Sequence, residues 1–151
     1  MTTITLESIK TEHEKLGAMI AALEAAAPRL LILREAQIEL RQGERYAGLV
    51  LGPDGLAAHH LILLPGEAED VAWADAKAWA EKAGGELPTR QEQALLYANL
   101  KSEFQPRWYW SSQAHESDSS YAWCQGSDSG CQGDNDKSYA GCARAVRRFA
   151  A

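Results

Sequence analysis

Three kinds of side chain in this sequence could do chemistry. Cys124, Cys131 and Cys142 fall in the last quarter of the 151 residues, spaced by seven and eleven, which is no compact thiolate pattern of the kind a zinc or redox pair uses. In a reducing compartment three thiols, an odd number, read as free. Cys124, beside Trp123, reads as a small buried residue, while for Cys131 and Cys142 exposed thiols and chance variants stay open. Asp128 and the run Asp134-Asn135-Asp136 carry hard oxygens of the type calcium takes, yet they read as a solvated acidic loop, and no metal is expected. His59 and His60 adjoin in strand-like text, so they point to opposite faces and cannot share an ion. His115 with Ser111 and Asp118 can be written as a triad, but nothing beside them resembles an oxyanion site. No catalytic residue and no cofactor is therefore expected, and Arg144, Arg147 and Arg148 are assigned to pairing with acids or closing the last strand rather than to phosphate.

These residues need elements to hold them. Leu6, Ile9, His13, Leu16, Ile20 and Leu23 recur at spacings of three and four, a heptad seam that Pro28 ends. The seam suits a helix packed on its own domain or a self-associating coiled coil, with Gly17 weakening it. Residues 1–28 form this first unit and residues 29–151 the second. The alternation Ala36, Ile38, Leu40 predicts a strand over residues 30–40, followed by one over residues 46–51. Pro53-Asp54-Gly55 then turns the chain into a hairpin partner over residues 56–64. Trp73, Ala76, Trp79, Ala80 and Ala83 make one helix stripe with a left-handed stop at Gly84-Gly85. Thr89-Arg90-Gln91-Glu92 is a capping box that opens a second helix, buried through Leu95, Leu96 and Leu100. Strand-like text returns at residues 108–112, 121–125 and 143–149.

Composition supplies the boundary conditions. The chain carries 46% hydrophobic and 24% charged residues with a net charge of -6, ordinary values for a globular domain of the size that holds a core without staples. An acidic pI near 5.2 argues against a nucleic-acid partner. No apolar stretch reaches membrane-spanning length, and the first residues lack a secretory pattern. The expected location is the cytoplasm where the chain is made, or a virion that carries it out. The charge is uneven: residues 1–75 hold 6 bases and 12 acids, while residues 76–151 hold 9 of each. Residues 111–136 hold five acids and no Lys or Arg, and residues 111–142 contain no Leu, Ile, Val, Met or Phe. Such text alone would read as a linker, but Trp108-Tyr109-Trp110, Tyr121-Ala122-Trp123 and Ala145-Val146-Arg147-Arg148-Phe149 peg it at the start, middle and end.

Four motifs in order carry a family resemblance: Glu86-Leu87-Pro88-Thr89-Arg90-Gln91-Glu92, Trp108-Tyr109-Trp110-Ser111-Ser112, Tyr121-Ala122-Trp123 and Ala143-Arg144-Ala145-Val146-Arg147-Arg148. Over residues 44–149 the chain resembles the Lcl-type C-type-lectin-like domain of bacterial and phage proteins, a group akin to formylglycine-generating enzymes and to the variable proteins of diversity-generating retroelements. The resemblance implies an α+β fold in which the first and last strands pair, two helices flank antiparallel strands, and a long irregular excursion over residues 111–142 displays the binding face. It implies a fixed set, Trp123, Cys124, Gln125, Gly130, Gln132, Lys137 and Ser138. Its implied diversified set is Gly126, Ser127, Asp128, Ser129, Cys131, Gly133, Asp134, Asn135, Asp136, Tyr139, Gly141 and Cys142, all types reachable by randomising the adenines of an Asn codon. The calcium-dependent sugar signature of lectins is missing, since Gln105-Pro106-Arg107 puts a cation where a carboxylate is needed.

The expectation is thus a non-enzymatic receptor-binding module of phage or prophage origin. Its partner would be a protein or glycan on a cell surface, and the N-terminal helix would make a homo-oligomer. Tyr139 is the strongest expected contact, because an exposed tyrosine gives rigid contact area at low entropic cost. An oxidoreductase of the formylglycine-generating type and a structural tail-associated protein are the alternatives.

Overall fold

The computed structural model describes residues 5–27 and 35–151. The chain divides into two compact units, Met1–Ile32 and Leu33–Ala151. In the first, α1 spans Leu6–Ala26, and its start is set by a capping box: Thr5 Oγ1 accepts from the Ser8 amide and Ser8 Oγ from the Thr5 amide. The seam residues Leu6, Ile9, Leu16, Ile20 and Leu23 are all exposed.

The second unit is α+β. Strand β1 is Arg45–Leu51, β2 Ala57–Leu63, β3 Ala68–Val71, β4 Trp108–Ala114, β5 Tyr121–Gly126, β6 Gln132–Asp136, β7 Gly141–Ala143 and β8 Val146–Ala150; helices α2, Trp73–Lys82, and α3, Arg90–Leu100, lie between β3 and β4. Two sheets result, one in the order β1-β2-β8 and one in the order β3-β7-β4-β5-β6. The last strand pairs antiparallel with β2, Leu61 opposite Arg148 and Leu63 opposite Val146, and not with β1, the first strand among the described residues, so the implied pairing of first and last strands is displaced by one strand. Both helix boundaries are set as the text suggests: Gly84 takes φ +86 after α2, and the Thr89–Glu92 box closes reciprocally at α3.

Two further expectations fail. The part of the predicted strand at residues 30–34 lies outside the described residues, and residues 35–41 pair with nothing. Ile38 and Leu40 instead border a groove with Tyr46 and His60, so the alternation serves contact with a sheet rather than membership of one. The excursion over residues 111–142 is also far from irregular: it contains most of β4 and all of β5 and β6, and it enters β7. Strand pairing needs backbone hydrogen bonds and side chains of alternating environment, and it does not require aliphatics.

Each sheet has its own core. Ala47, Val50, Leu61, Leu63 and Val146 pack under α3 with Leu96. Ala76 and Ala80 of α2 meet Trp110, Ala122, Cys124 and Ala143 of the larger sheet, with Leu64 and Leu87.

Candidate functional site

The β5–β6 hairpin carries most of the residues singled out from the sequence. Its register sets Trp123 opposite Asp134, Tyr121 opposite Asp136 and Gln125 opposite Gln132, so these six share a face. The turn between the strands closes through Gly126 N–H to the Cys131 carbonyl and Gly130 N–H to the Gly126 carbonyl, with Gly130 at φ +76. Lys101 Nζ donates to the Asp128 carbonyl at 3.0 Å and ties the turn to the end of α3.

A ladder of amide side chains fixes this face to α3. Gln132 Nε2 donates to the Arg90 carbonyl (2.6 Å) and to Gln125 Oε1 (2.9 Å). Gln125 Nε2 donates to the Gln93 carbonyl, and Gln93 Nε2 to the Tyr109 carbonyl. Sequence reading named Gln125 and Gln132 only by resemblance and missed Gln93. A glutamine at the buried side of an amphipathic helix, where Leu is the default, was the available signal. Arg90 lies with its guanidinium carbon 3.6 Å from the centre of the Trp123 ring, an attractive placement for a cation. His115 stacks on Trp123 at 5.3 Å. Beside them an open groove of about 620 Å3 is lined by Arg90, Gln91, Gln113, Gly130 and Gln132.

The twelve residues expected to be diversified separate by environment. Asp128, Ser129, Cys131 and Asp134 are exposed along the turn and the outer strand, and so are Asp136 and Tyr139. Asp136 is committed locally: its carboxylate accepts from the Ser138 amide and hydroxyl, which holds its own charged form and lowers its pKa. Tyr139 sits on the following turn, edge-on to Trp110 at 6.1 Å, away from the hairpin tip. Gly133 is half-buried against Trp108, and Asn135 turns inward to donate to Cys124 Sγ at 3.2 Å.

Gly126, Ser127, Gly141 and Cys142 are buried and cannot meet a ligand as side chains on a surface. Ser127 Oγ bonds to the Gln105 carbonyl, and a Cβ on Gly141 would lie 2.8 Å from Trp110 Nε1. Small size is here a packing requirement, which in sequence looks the same as free variation.

The thiols divide in the same way. Cys124 is buried and burial pushes its thiol up to about 11; burial likewise raises Cys142, while Cys131 is exposed and all three are free. Neutral buried thiols are poor nucleophiles. The Ser111-His115-Asp118 arrangement does not assemble: Ser111 is fully buried, His115 Nδ1 accepts from the Ser117 and Asp118 amides, and Asp118 serves the Ser120 amide. His59 and His60 do diverge, His59 Nε2 to Glu92 at 2.7 Å and His60 Nδ1 to the Tyr46 hydroxyl at 2.9 Å. Among the described residues no three His, Cys, Asp or Glu side chains gather as a metal-binding group.

The terminal arginines pair with acids on opposite faces of β8. Arg147 holds Glu44 through two bonds of 2.8 and 2.7 Å, and this hydrogen bonding, its largest influence, draws the Glu44 carboxyl down to about 2. Arg148 grips Glu92 by Nε (2.6 Å) and Nη2 (2.9 Å) and also reaches Glu86. Burial works to raise the Glu92 pKa, but Arg148, the Thr89 amide and His59 together lower it. Glu92, the capping-box residue of α3, thereby also binds the helix to the final strand. Arg144 departs from the pattern: it meets the backbone carbonyls of Leu64 and Glu103 and the Phe104 ring, with no acid.

Comparison with protein-family models and with curated proteins finds no match for this chain. No helix among the described residues is long and apolar enough to cross a membrane.

Proposed function

We propose that the chain is a ligand-binding module in which a C-type-lectin-like scaffold presents the β5–β6 turn and outer strand to a protein or glycan on a cell surface. The observation that carries this reading is the division of labour in one hairpin. Cys124, Gln125, Gly126 and Ser127 are buried, whereas Asp128, Ser129, Cys131 and Asp134, one to ten residues further on, are exposed beside an open groove. A surface whose side chains are free of packing can change identity without unfolding what lies beneath it. The resemblance to retroelement variable proteins gives this arrangement a purpose and points to a phage or prophage source and a virion-borne role. The exposed seam of α1 supports self-association, which would raise a weak single-site affinity through multivalency. No catalytic residue is proposed; His59, His60 and His115 each make a structural hydrogen bond.

The test is binding of the purified chain to arrays of glycans and of isolated bacterial surface proteins. The parent binds at least one component, and the fourfold Ala variant at Asp128, Ser129, Cys131 and Asp134 loses that binding with its fold intact. Equal binding by both proteins removes the hairpin as the recognition surface, and a parent that binds nothing on either array favours a structural role. The retroelement origin has its own check in the adjoining DNA, where an imperfect second copy of the segment encoding residues 111–149 should differ at adenines.

A further inference from the structure

Strand β6 ends the larger sheet: it pairs with β5 on one side, and its other side is a free edge among the described residues. The hydrogen bonds that close the hairpin at either end decide which backbone groups line that edge. Gly126 N–H donates to the Cys131 carbonyl at 2.9 Å and Lys137 N–H to the Ser120 carbonyl at 2.8 Å, both in register with the β5–β6 pairs between them. Antiparallel pairs alternate between residues that exchange both bonds and residues that exchange none. Counting inward by twos from either end makes Cys124–Gly133 and Ala122–Asn135 the bonded pairs. The backbone groups of Gln132, Asp134 and Asp136 therefore point away from β5. The Asp136 carbonyl accepts from the Tyr139 amide, while the Asp136 amide and the amides and carbonyls of Gln132 and Asp134 have no partner among the described residues.

The side chains of Gln132, Asp134 and Asp136 lie on the face they share with Trp123 and Tyr121, whereas Asn135 turns inward to Cys124. Asp134 and Asp136 are exposed. The bases around the hairpin are engaged elsewhere: Arg90 on Gln132 Oε1 and the Trp123 ring, Lys101 on the Asp128 carbonyl and Lys137 on the Ser119 carbonyl. The edge is thus a row of unpaired backbone groups beside uncompensated acids.

That combination selects the occupant. A second copy adding its own β6 would set aspartate against aspartate, and like charges directly opposite are destabilising. A glycan brings hydroxyls but no donors and acceptors at the strand repeat. An extended peptide brings both, and basic side chains on alternate residues meet the aspartates. We propose that the outer edge of β6 is a docking strand for an extended, antiparallel segment of a partner protein, about five residues long, with Lys or Arg at every second position. Main-chain bonds then supply affinity that does not depend on the identity of the exposed side chains, which are left to set the choice of target. The edge stands on its own geometry; its service to a cell-surface target rests on the ligand-binding reading above.

Residues directly opposite share a face, so the basic residues of the segment are those whose amides bond to β6. The probe is a capped Lys-Val-Lys-Val-Lys peptide added to the full chain and followed by proton–nitrogen correlation spectra. The amides of Gln132, Asp134 and Asp136 should shift saturably and exchange more slowly with solvent. N-methylation of the middle lysine should weaken binding on the order of tenfold, whereas N-methylation of both valines, whose amides face solvent, should leave it unchanged. Asp134→Pro removes an outward amide and no bond to β5, a position where a strand accepts proline, and should weaken binding as much. Asp134→Asn, which removes the charge alone, should weaken it about threefold. Should Asp134→Pro lose spectral dispersion, the two N-methylated peptides on the parent chain give the same reading. Equal binding of those two peptides would mark simple charge attraction and overturn the proposal, as would the absence of any saturable shift. Capture of glycans alone on the arrays, equal in the parent and Asp134→Pro, would overturn it while sparing recognition by the hairpin. A peptide that docks as described on a chain that binds nothing on the arrays would uphold the edge and sink the cell-surface reading.

Discussion

The two sheets of the second unit reach stability by different routes. In the β1-β2-β8 sheet, Val50, Leu61, Leu63 and Val146 supply aliphatic volume, and the two terminal arginines close its faces onto buried acids. In the larger sheet the chain over residues 111–142 supplies no branched aliphatic at all. Trp110 Nε1 donates to the Val71 carbonyl, Trp73 Nε1 to the Ser111 carbonyl, and three glutamines join α3 to β4, β5 and β6. Glycines then let the backbone come within reach of those rings. A sheet secured by such directional bonds can leave its edge turn exposed, where the Asp128 and Ser129 side chains accept only from amides of the turn itself, and that exposure is what a recognition surface needs.

Breaking the first sheet should have the largest effect. Glu92→Ala leaves the half-buried Arg148 with the exposed Glu86 alone and removes half of the α3 capping box, for a cost of about 2–4 kcal/mol, read as a large fall in thermal midpoint. Acid acts on the same sheet. The Glu44 and Glu92 carboxyls lie below their ordinary value of 4.5 in the folded state. They therefore add stability that is complete above that value and fades as pH falls through it, for Glu44 toward about 2. Thermal midpoints measured from pH 7 down to 2 should drop below pH 4.5, and Glu44→Gln should flatten that dependence.

Breaking the second sheet should cost less and act more locally. Gly141→Ala drives a methyl into the Trp110 indole, at about 1–3 kcal/mol, with Trp110 fluorescence altered. Gln132→Ala removes one rung of the amide ladder, at about 1 kcal/mol. Its signature is in hydrogen exchange: β6 amides should exchange faster while β1, β2 and β8 keep their protection. Uniform loss of protection across both sheets would deny that the two are held independently.

The sequence reveals these regions unequally, for physical reasons. Periodicity and punctuation announced α2, α3, the Pro53-Asp54-Gly55 hairpin and the strand that pairs with β8, because each rests on local rules of turn, cap and alternation. Strands β3, β6 and β7 were invisible, since Gln132-Gly133-Asp134-Asn135-Asp136 has no strand-like composition and pairs only because β5 presents its edge. At the candidate site, exposure of Asp128, Ser129, Cys131 and Asp134 agrees with their unpatterned types. The burial of Gly126, Ser127, Gly141 and Cys142 does not, because a small residue required by a neighbouring ring and one tolerated on a surface look alike in one sequence. Cys142 is set by the approach of β7 to β4 opposite Tyr109, a contact distant in the chain. The bond from Glu92 to Arg148 likewise spans 56 residues.

The central claim is that the hairpin surface changes freely over a fixed interior, and a library randomised at Asp128, Ser129, Cys131 and Asp134 tests it most directly. Displayed on cells and sorted for protease resistance, most members should survive with stability within about 0.5 kcal/mol of the parent, and sorting on one bacterial surface protein should enrich specific sequences. Survival confined to variants that keep the parental residues at these four positions would contradict the account.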